Sequence, residues 1–481
     1  MKRCALCAFL CLLLAAAPAL GEVLPVFVDR PEDGVRFGML LRDDGTKLTP
    51  EDTYGYIYRL TPEDTPEASR LYSVAPKVVE PSLAGEITRP DDDYFVPVAL
   101  MDAAGQLKTD YAYADLTWAG EDRLIFRTSP DRRCGVMDAE GHIVLPPEYA
   151  NIVPTGSGGW LALRLGNSAP EYDVKYPIVA IGPDGVSRDT GLHADQFALG
   201  SFSDGICMVD GVQEFDGGAI FVDEEGRQLF GARFDDAYDF CGALARVTVA
   251  DRRGLIDRNG RFVVEPGYDS IIHDDTLDGG VFIAERSGVF HVYDDSGTLL
   301  LDLPVGEGAY GWMPNPAMFC ISGSGRSDIY ALDGTRLGSV TDDRDVNCWF
   351  SYECEEMPQR LIVSQGEWPF EAARLTTLDG EPVGGFFQAL YGLCWADGRG
   401  LYRVESWRNY VDPYGSFVSD WRSLRSGLCD QDGQMVLDLN YETLEMLAPD
   451  RFWVTQGNRT GLIDMDGRWL YAYDVYQNLL D

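Results

Sequence analysis

The amino-acid sequence predicts an all-β repeat protein, β-propeller-like and built from about 10 short antiparallel hairpin units, with an open β-hairpin solenoid as the alternative. Two observations carry that prediction. An apolar segment ending in Asp, two polar residues and Gly recurs along the 481 residues, each copy followed by a second β-rich segment. No stretch of useful length shows the 3.6-residue apolar period of a helix.

The turns define the unit. The clearest copies are Gly135-Val136-Met137-Asp138-Ala139-Glu140-Gly141 and the equivalent segments 254–260, 427–433 and 461–467. Weaker copies end at Gly105, Gly185, Gly226, Gly297, Gly334 and Gly380, with a degenerate one at Gly45. From Gly105 onward the turn glycines lie 34 to 53 residues apart, a period that marks stacked or radial repeats. In such a turn Asp accepts backbone N–H bonds and Gly supplies the positive φ that closes the hairpin. Asp102, Gly105, Asp138, Gly141, Asp223, Gly226, Asp257, Gly260, Asp294, Gly297, Asp430, Gly433, Asp464 and Gly467 are therefore read as structural turn residues. One Asp position repeated seven times is better explained by turn geometry than by catalysis.

The strands follow from the turns. After Gly260 come the apolar run 261–265, the punctuation Pro266-Gly267, then the runs 268–272 and 281–285, which is the economy of a propeller blade or a hairpin solenoid. An aromatic residue stands eight positions after the turn glycine at Tyr113, Tyr149, Phe234, Tyr268 and Tyr441, and equivalent positions imply equivalent packing between repeats.

The pattern Gly-[Leu/Val]-Ile-Asp-x-x-Gly, then a strand, Pro and Tyr-Asp, preceded by Phe-x-x-Gly-[Leu/Ala], resembles the WG repeat family, also called KWG repeats. It is strongest over residues 200–275. The Trp usual before the first Gly is replaced by Cys134, Arg253, Ser426 and Thr460, the mark of a divergent member. The resemblance implies a bacterial repeat protein of β architecture with no assigned chemistry. Ten repeats exceed the usual four to eight blades, so the expectation is one unusually large ring or two rings.

The expected organisation is a signal peptide at 1–21, an irregular N-terminal β cap and loop at 22–97, WG-like repeats at 98–379, and C-terminal WG-like repeats at 380–481 with an insertion around 395–421. Lys2 and Arg3, the apolar run 4–17 and the small residues Ala19 and Gly21 predict export, to a secreted or extracytoplasmic location. No later segment predicts a membrane span. Of eight later cysteines, Cys348 and Cys354 form the best local pair, and the rest read mostly as small buried hydrophobes.

Charge narrows the partners. Lys and Arg number 39 against 78 Asp and Glu, a net charge of −39 that repels nucleic acid and anionic membrane. Acidic clusters at 91–93, 274–275 and 342–343 are compatible with Ca2+, but no EF-hand loop is present. The histidines His142, His193, His273 and His291 show no metal-binding spacing, and HExxH, GxSxG and P-loop motifs are absent. No catalytic residue, metal site or cofactor is nominated.

Tryptophan is the remaining lead, because it is enriched in binding hot spots. Trp160, Trp312, Trp349, Trp368, Trp395, Trp407 and Trp421 lie in turn-rich segments, and Trp395, Trp407 and Trp421 are the candidate binding residues. The functional expectation is a secreted, non-enzymatic scaffold that binds an extracellular protein or glycan through an acidic, aromatic-bearing surface. The alternatives are an extracellular carbohydrate-active enzyme with a carboxylate pair in a propeller cleft, and a self-associating envelope component.

Overall fold

The computed structural model describes residues 22–474 apart from 31–34, 52, 63, 78–95, 167–169, 172–173, 274–279, 316, 324, 342–345, 348–359, 366–371, 397–398, 412–413 and 415–416. The expected signal peptide, the three acidic clusters and the Cys348/Cys354 pair lie outside those residues. Almost all regular structure is antiparallel strand, and two single-turn 3-10 segments are the only helical elements among the described residues. No helix there is long and apolar enough to cross a membrane.

Eleven turn glycines, from Gly45 to Gly467, all adopt φ between +71° and +87°. Each donates its N–H to the carbonyl three residues earlier at 2.8–3.0 Å. The leading Asp adds two bonds: Asp257 Oδ1 accepts from the N–H of Asn259 and Arg261, both at 2.9 Å. Asp102, Asp138, Asp223, Asp294, Asp430 and Asp464 do the same. At Gly45 the leading position is Arg42, and Asp44 Oδ1 takes over by accepting from Thr46. That substitution, with 60 residues to the next turn glycine, is why the repeat is degenerate in sequence yet regular in space. There are accordingly eleven units, not ten. The segment expected to be an irregular cap supplies the strands Val23–Arg30, Val35–Arg42, Tyr54–Arg59 and Leu71–Pro76 of the first two units.

The first glycine of the repeat motif has a different cause. Gly254 sits where the third strand meets the fourth at a register break between Arg253 and Leu255. A Cβ there would lie 2.7 Å from the Val264 carbonyl oxygen and 2.9 Å from the Pro266 nitrogen. Gly135, Gly427 and Gly461 would meet fourth-strand carbonyls in the same way. The residue before this glycine, Trp in the family pattern, pairs across the ladder with an aromatic: Cys134 with Tyr149, Arg253 with Tyr268, Ser426 with Tyr441, Thr460 with Tyr473. Cys134, Ser426 and Thr460 are buried at that position. Gly254→Ala is expected to cost about 1–3 kcal/mol, because backbone must move to admit the methyl group. Gly385→Ala, whose Cβ would meet nothing within 4 Å, is the matched control, and urea midpoints compare the two.

Units join with little slack. The strand Ile143–Pro154 is continuous through the third and fourth units, while Asp269, Gln388 and Glu442 are one-residue steps between others. The step residue holds the next unit: Asp269 Oδ2 accepts from Ser287 N–H and Glu442 Oε2 from Gly457 N–H, each in the following hairpin. Asp235, directly before the strand Asp236–Ala237, likewise accepts from Ala250 N–H at 2.6 Å in the following hairpin.

Successive units bury a cluster between them, and the ninth to eleventh units share a single one. Leu71, Leu100 and Val98 pack on Leu116, Leu124 and Phe126, and Phe221 packs on Phe234, Phe240 and Val247. Tyr149, Phe234 and Tyr441 are buried in such clusters, with Tyr113 and Tyr268 partly buried against them, as their spacing predicts.

The last unit packs on the first. Leu24, Val26, Phe37 and Met39 form one cluster with Trp453, Leu462 and Tyr473. Trp453 Nε1 donates to the Phe27 carbonyl at 2.7 Å, Arg451 Nε to the Asp43 carbonyl at 2.7 Å, and Tyr471 OH to Glu51 Oε1 at 2.7 Å. The turn at Gly45 abuts Leu470, just as the turn at Gly105 abuts Leu48 and that at Gly297 abuts Val263 of the preceding unit. The array is thus closed on itself rather than an open solenoid.

Candidate functional site

In the tenth unit two strands outgrow the rest: Arg399–Val411 has 13 residues and Phe417–Asp430 has 14. They form a long hairpin in the region expected to hold an insertion. Their register breaks between Ser406 and Arg408, where the four residues 421–424 of the second strand face the single residue Trp407. Such a bulge re-aims side chains. Here it brings Trp407 and Trp421 together, with ring centroids 4.9 Å apart and planes inclined at 37°.

Three side chains hold the bulge. Gln388 Oε1 accepts from Trp407 N–H at 2.6 Å and from Ser406 Oγ at 2.9 Å, while Ser423 Oγ accepts from Arg408 N–H at 2.7 Å. Trp421 is 59% exposed, Tyr410 52% and Tyr414 92%. Trp407 is half-buried, and its Nε1–H is shielded and makes no hydrogen bond. The three candidate tryptophans therefore part company. Trp407 and Trp421 form a pair, while Trp395 lies at the base of the hairpin opposite Gly400, its side chain outside the described residues.

Trp160 is buried in an inter-unit cluster and Trp312 packs partly against another, so both fill gaps between units. Sequence reasoning missed Tyr410 and Tyr414; their signal was an aromatic-rich run around an additional Asp-x-x-Gly, Asp412-Pro413-Tyr414-Gly415, that falls outside the repeat spacing.

A cleft of about 570 Å³ lies among the first three units, lined by Arg42, Glu67, Arg70, Asp102, Lys108 and Glu140 among others. Two of its carboxylates are occupied in structure: Glu67 pairs with Arg42 at 3.0 Å, and Asp102 caps its turn and faces Lys108 at 3.9 Å. The histidines also have structural neighbours, His142 on Asp138, His193 on Glu214 and His273 on the Val281 carbonyl. No group of three or more His, Cys, Asp or Glu side chains suited to a metal occurs among the described residues. Cys134, Cys207 and Cys429 are buried free thiols, and burial pushes them upward, away from thiolate reactivity; Cys241 and Cys320 are buried as well.

Three of the turn carboxyls, Asp138, Asp257 and Asp294, titrate the other way. Burial pushes Asp257 upward, but the N–H donors of Arg261 and Asn259 outweigh it and hold the group below the usual carboxylate range. His142 does this for Asp138, and Ser296 with Thr298 for Asp294. A folded-state pKa below the unfolded value of about 3.9 gives stability that is complete above that value and lost as pH falls through the folded one. Asp257→Asn keeps an acceptor but cannot titrate. The stability gap between wild type and this variant is expected to be constant from about pH 7 to 5 and to close below about pH 4 in thermal melts. A gap unchanged at low pH would show that the turn carboxylate is not the acid-sensitive group.

A family model described as WG containing repeat matches residues 135–167 and 254–283. No curated protein matches the chain. Among solved structures the chain is similar to a eukaryotic initiation factor at 12% identity, with 77% of this chain and 98% of that chain covered and a TM-score of 0.38. It is similar to the Dos1 propeller at 12% identity, 69% and 94% coverage and a TM-score of 0.29. A third is PorZ of Porphyromonas gingivalis, titled an essential bacterial surface component of the type-IX secretion system, at 12% identity, 75% and 52% coverage and a TM-score of 0.25. The fold rests on the strand pairing and the closure described above, not on these likenesses. Both family matches include a repeat-motif glycine, Gly135 or Gly254, and the turn that follows it, and the same glycine geometry recurs at Gly427 and Gly461; the chain carries WG-containing repeats at these two matched places.

Proposed function

We propose that this protein is an exported, non-catalytic scaffold that binds an extracellular glycan on the hairpin of the tenth unit. One observation carries this reading: Trp407 and Trp421 meet in a tilted contact at a bulge, with Trp421 more than half exposed. Aromatic faces held this way give a broad apolar surface at low entropic cost, suited to the C–H faces of sugar rings. Export rests on the basic, apolar and small-residue succession of positions 2–21.

Trp421→Ala is expected to weaken binding at least tenfold, about 1.4 kcal/mol, while leaving the melting temperature within a degree or two, because an exposed side chain contributes little to folding. Isothermal titration with a panel of neutral and acidic oligosaccharides is the measurement. Unchanged affinity in the variant, or release of reducing ends from the panel, would turn the reading toward another surface or toward hydrolysis.

A further inference from the structure

The charge of the hairpin departs from that of the chain. Residues 399–425 hold five arginines, Arg399, Arg403, Arg408, Arg422 and Arg425, against the three carboxylates of Glu405, Asp412 and Asp420, so the segment is net positive in a chain of −39. Two of these arginines are already used. Arg403 reaches Glu405 at 3.2 Å and lies over the Tyr391 ring, and Arg425 pairs with Glu442 at 3.3 Å. Arg408 and Arg422 are exposed, and neither forms an ion pair among the described residues. Asp420 stands opposite Arg408 in the strand register without closing a salt bridge. Arg422 follows Trp421 within the bulge, and both residues are exposed.

From this geometry we infer that the glycan is a uronate-bearing polysaccharide, its sugar faces stacked on Trp421 and its carboxylates taken by Arg422 and Arg408. The inference rests on the glycan-binding reading above and names the ligand class for the same surface. Guanidinium is the side chain suited to carboxylate, since its fixed fork of donors matches the two oxygens of the anion. Local charge matters more than the total here. Fields from remote surface charges are screened within about 8 Å at physiological salt, whereas an arginine at the contact is not. A second copy of this chain, itself acidic, is the competing occupant for a basic aromatic hairpin.

The test titrates the full chain, lacking only residues 1–21, with oligogalacturonate and with a neutral cello-oligosaccharide of equal length, at low and physiological salt. The expected result is tighter binding of the uronate, weakened by salt. Arg422→Glu should reduce uronate affinity at least tenfold and leave neutral binding as it was, and Trp421→Ala should reduce both. Arg408→Glu serves as the second variant, with an effect in the same direction. Equal affinity for the two ligands, or indifference of the uronate to Arg422→Glu, overturns the inference while the glycan-binding reading stands. Binding of neither ligand overturns both. Concentration-dependent self-association in light scattering that Arg422→Glu abolishes assigns the hairpin to a second copy and likewise overturns the inference.

Discussion

Trp453→Ala is expected to lower stability by about 3–5 kcal/mol, the range for deleting a large aromatic side chain from a packed interior. Its rarer effect is on distance. Trp453 is 6% exposed and lies among Leu24, Val26 and Phe37, more than 400 residues away in sequence, and its indole N–H is bonded to the Phe27 carbonyl. Removing the ring leaves that carbonyl with one partner fewer and a void between the first and last units. Amide exchange should then accelerate in two separate stretches at once, the strands Val23–Arg42 and Thr443–Asp474. Trp453→Phe keeps most of the packing and loses the hydrogen bond, so a loss of about 1 kcal/mol is expected. Faster exchange confined to residues 443–474 would show that the first unit is held by something other than this seam.

Phe221→Ala is expected to cost a similar 3–5 kcal/mol, but to act within one neighbourhood. Phe221 is fully buried, with the rings of Phe240, Phe230 and Phe234 at centroid distances of 5.1, 5.9 and 5.9 Å. These tilted and edge-to-face contacts add to the area buried. Faster exchange should be centred on residues 218–257, with the seam between first and last units unaffected. Phe221→Leu fills much of the void and should lose under about 1.5 kcal/mol. Denaturation midpoints with unchanged slopes would confirm a loss of packing alone. Loss of protection spread evenly over all eleven turns would instead make the whole ring one cooperative unit.

Much of this architecture was legible because turns depend on near neighbours. Asp257 and Gly260 act on atoms within four residues of themselves, so spacing alone locates the hairpin. The unit at Gly45 was harder to see, since Arg42 occupies the Asp position and Asp44 performs its task. Closure was not legible at all. The contacts of Trp453 with Phe27 and of Tyr471 with Glu51 join residues more than 400 positions apart and leave no periodic trace. At the candidate site, residue type pointed to Trp407 and Trp421, but their meeting depends on a bulge at residues 421–424, which no spacing rule announces.

The one-residue steps between units have a consequence for how such a chain can change over time. Because side chains alternate faces along a strand, one added residue at Asp269, Gln388 or Glu442 would turn the following strand inside out. Around these joins length can be gained only inside a unit, between strands that the hoop does not need to keep in phase. The long intervals fall there: between Pro76 and Ala99, between Arg164 and Tyr176, and in the extended strands on either side of Val411 and Phe417. Heredity is thus given a fixed chassis with interchangeable fittings, and the tenth unit's hairpin is one such fitting.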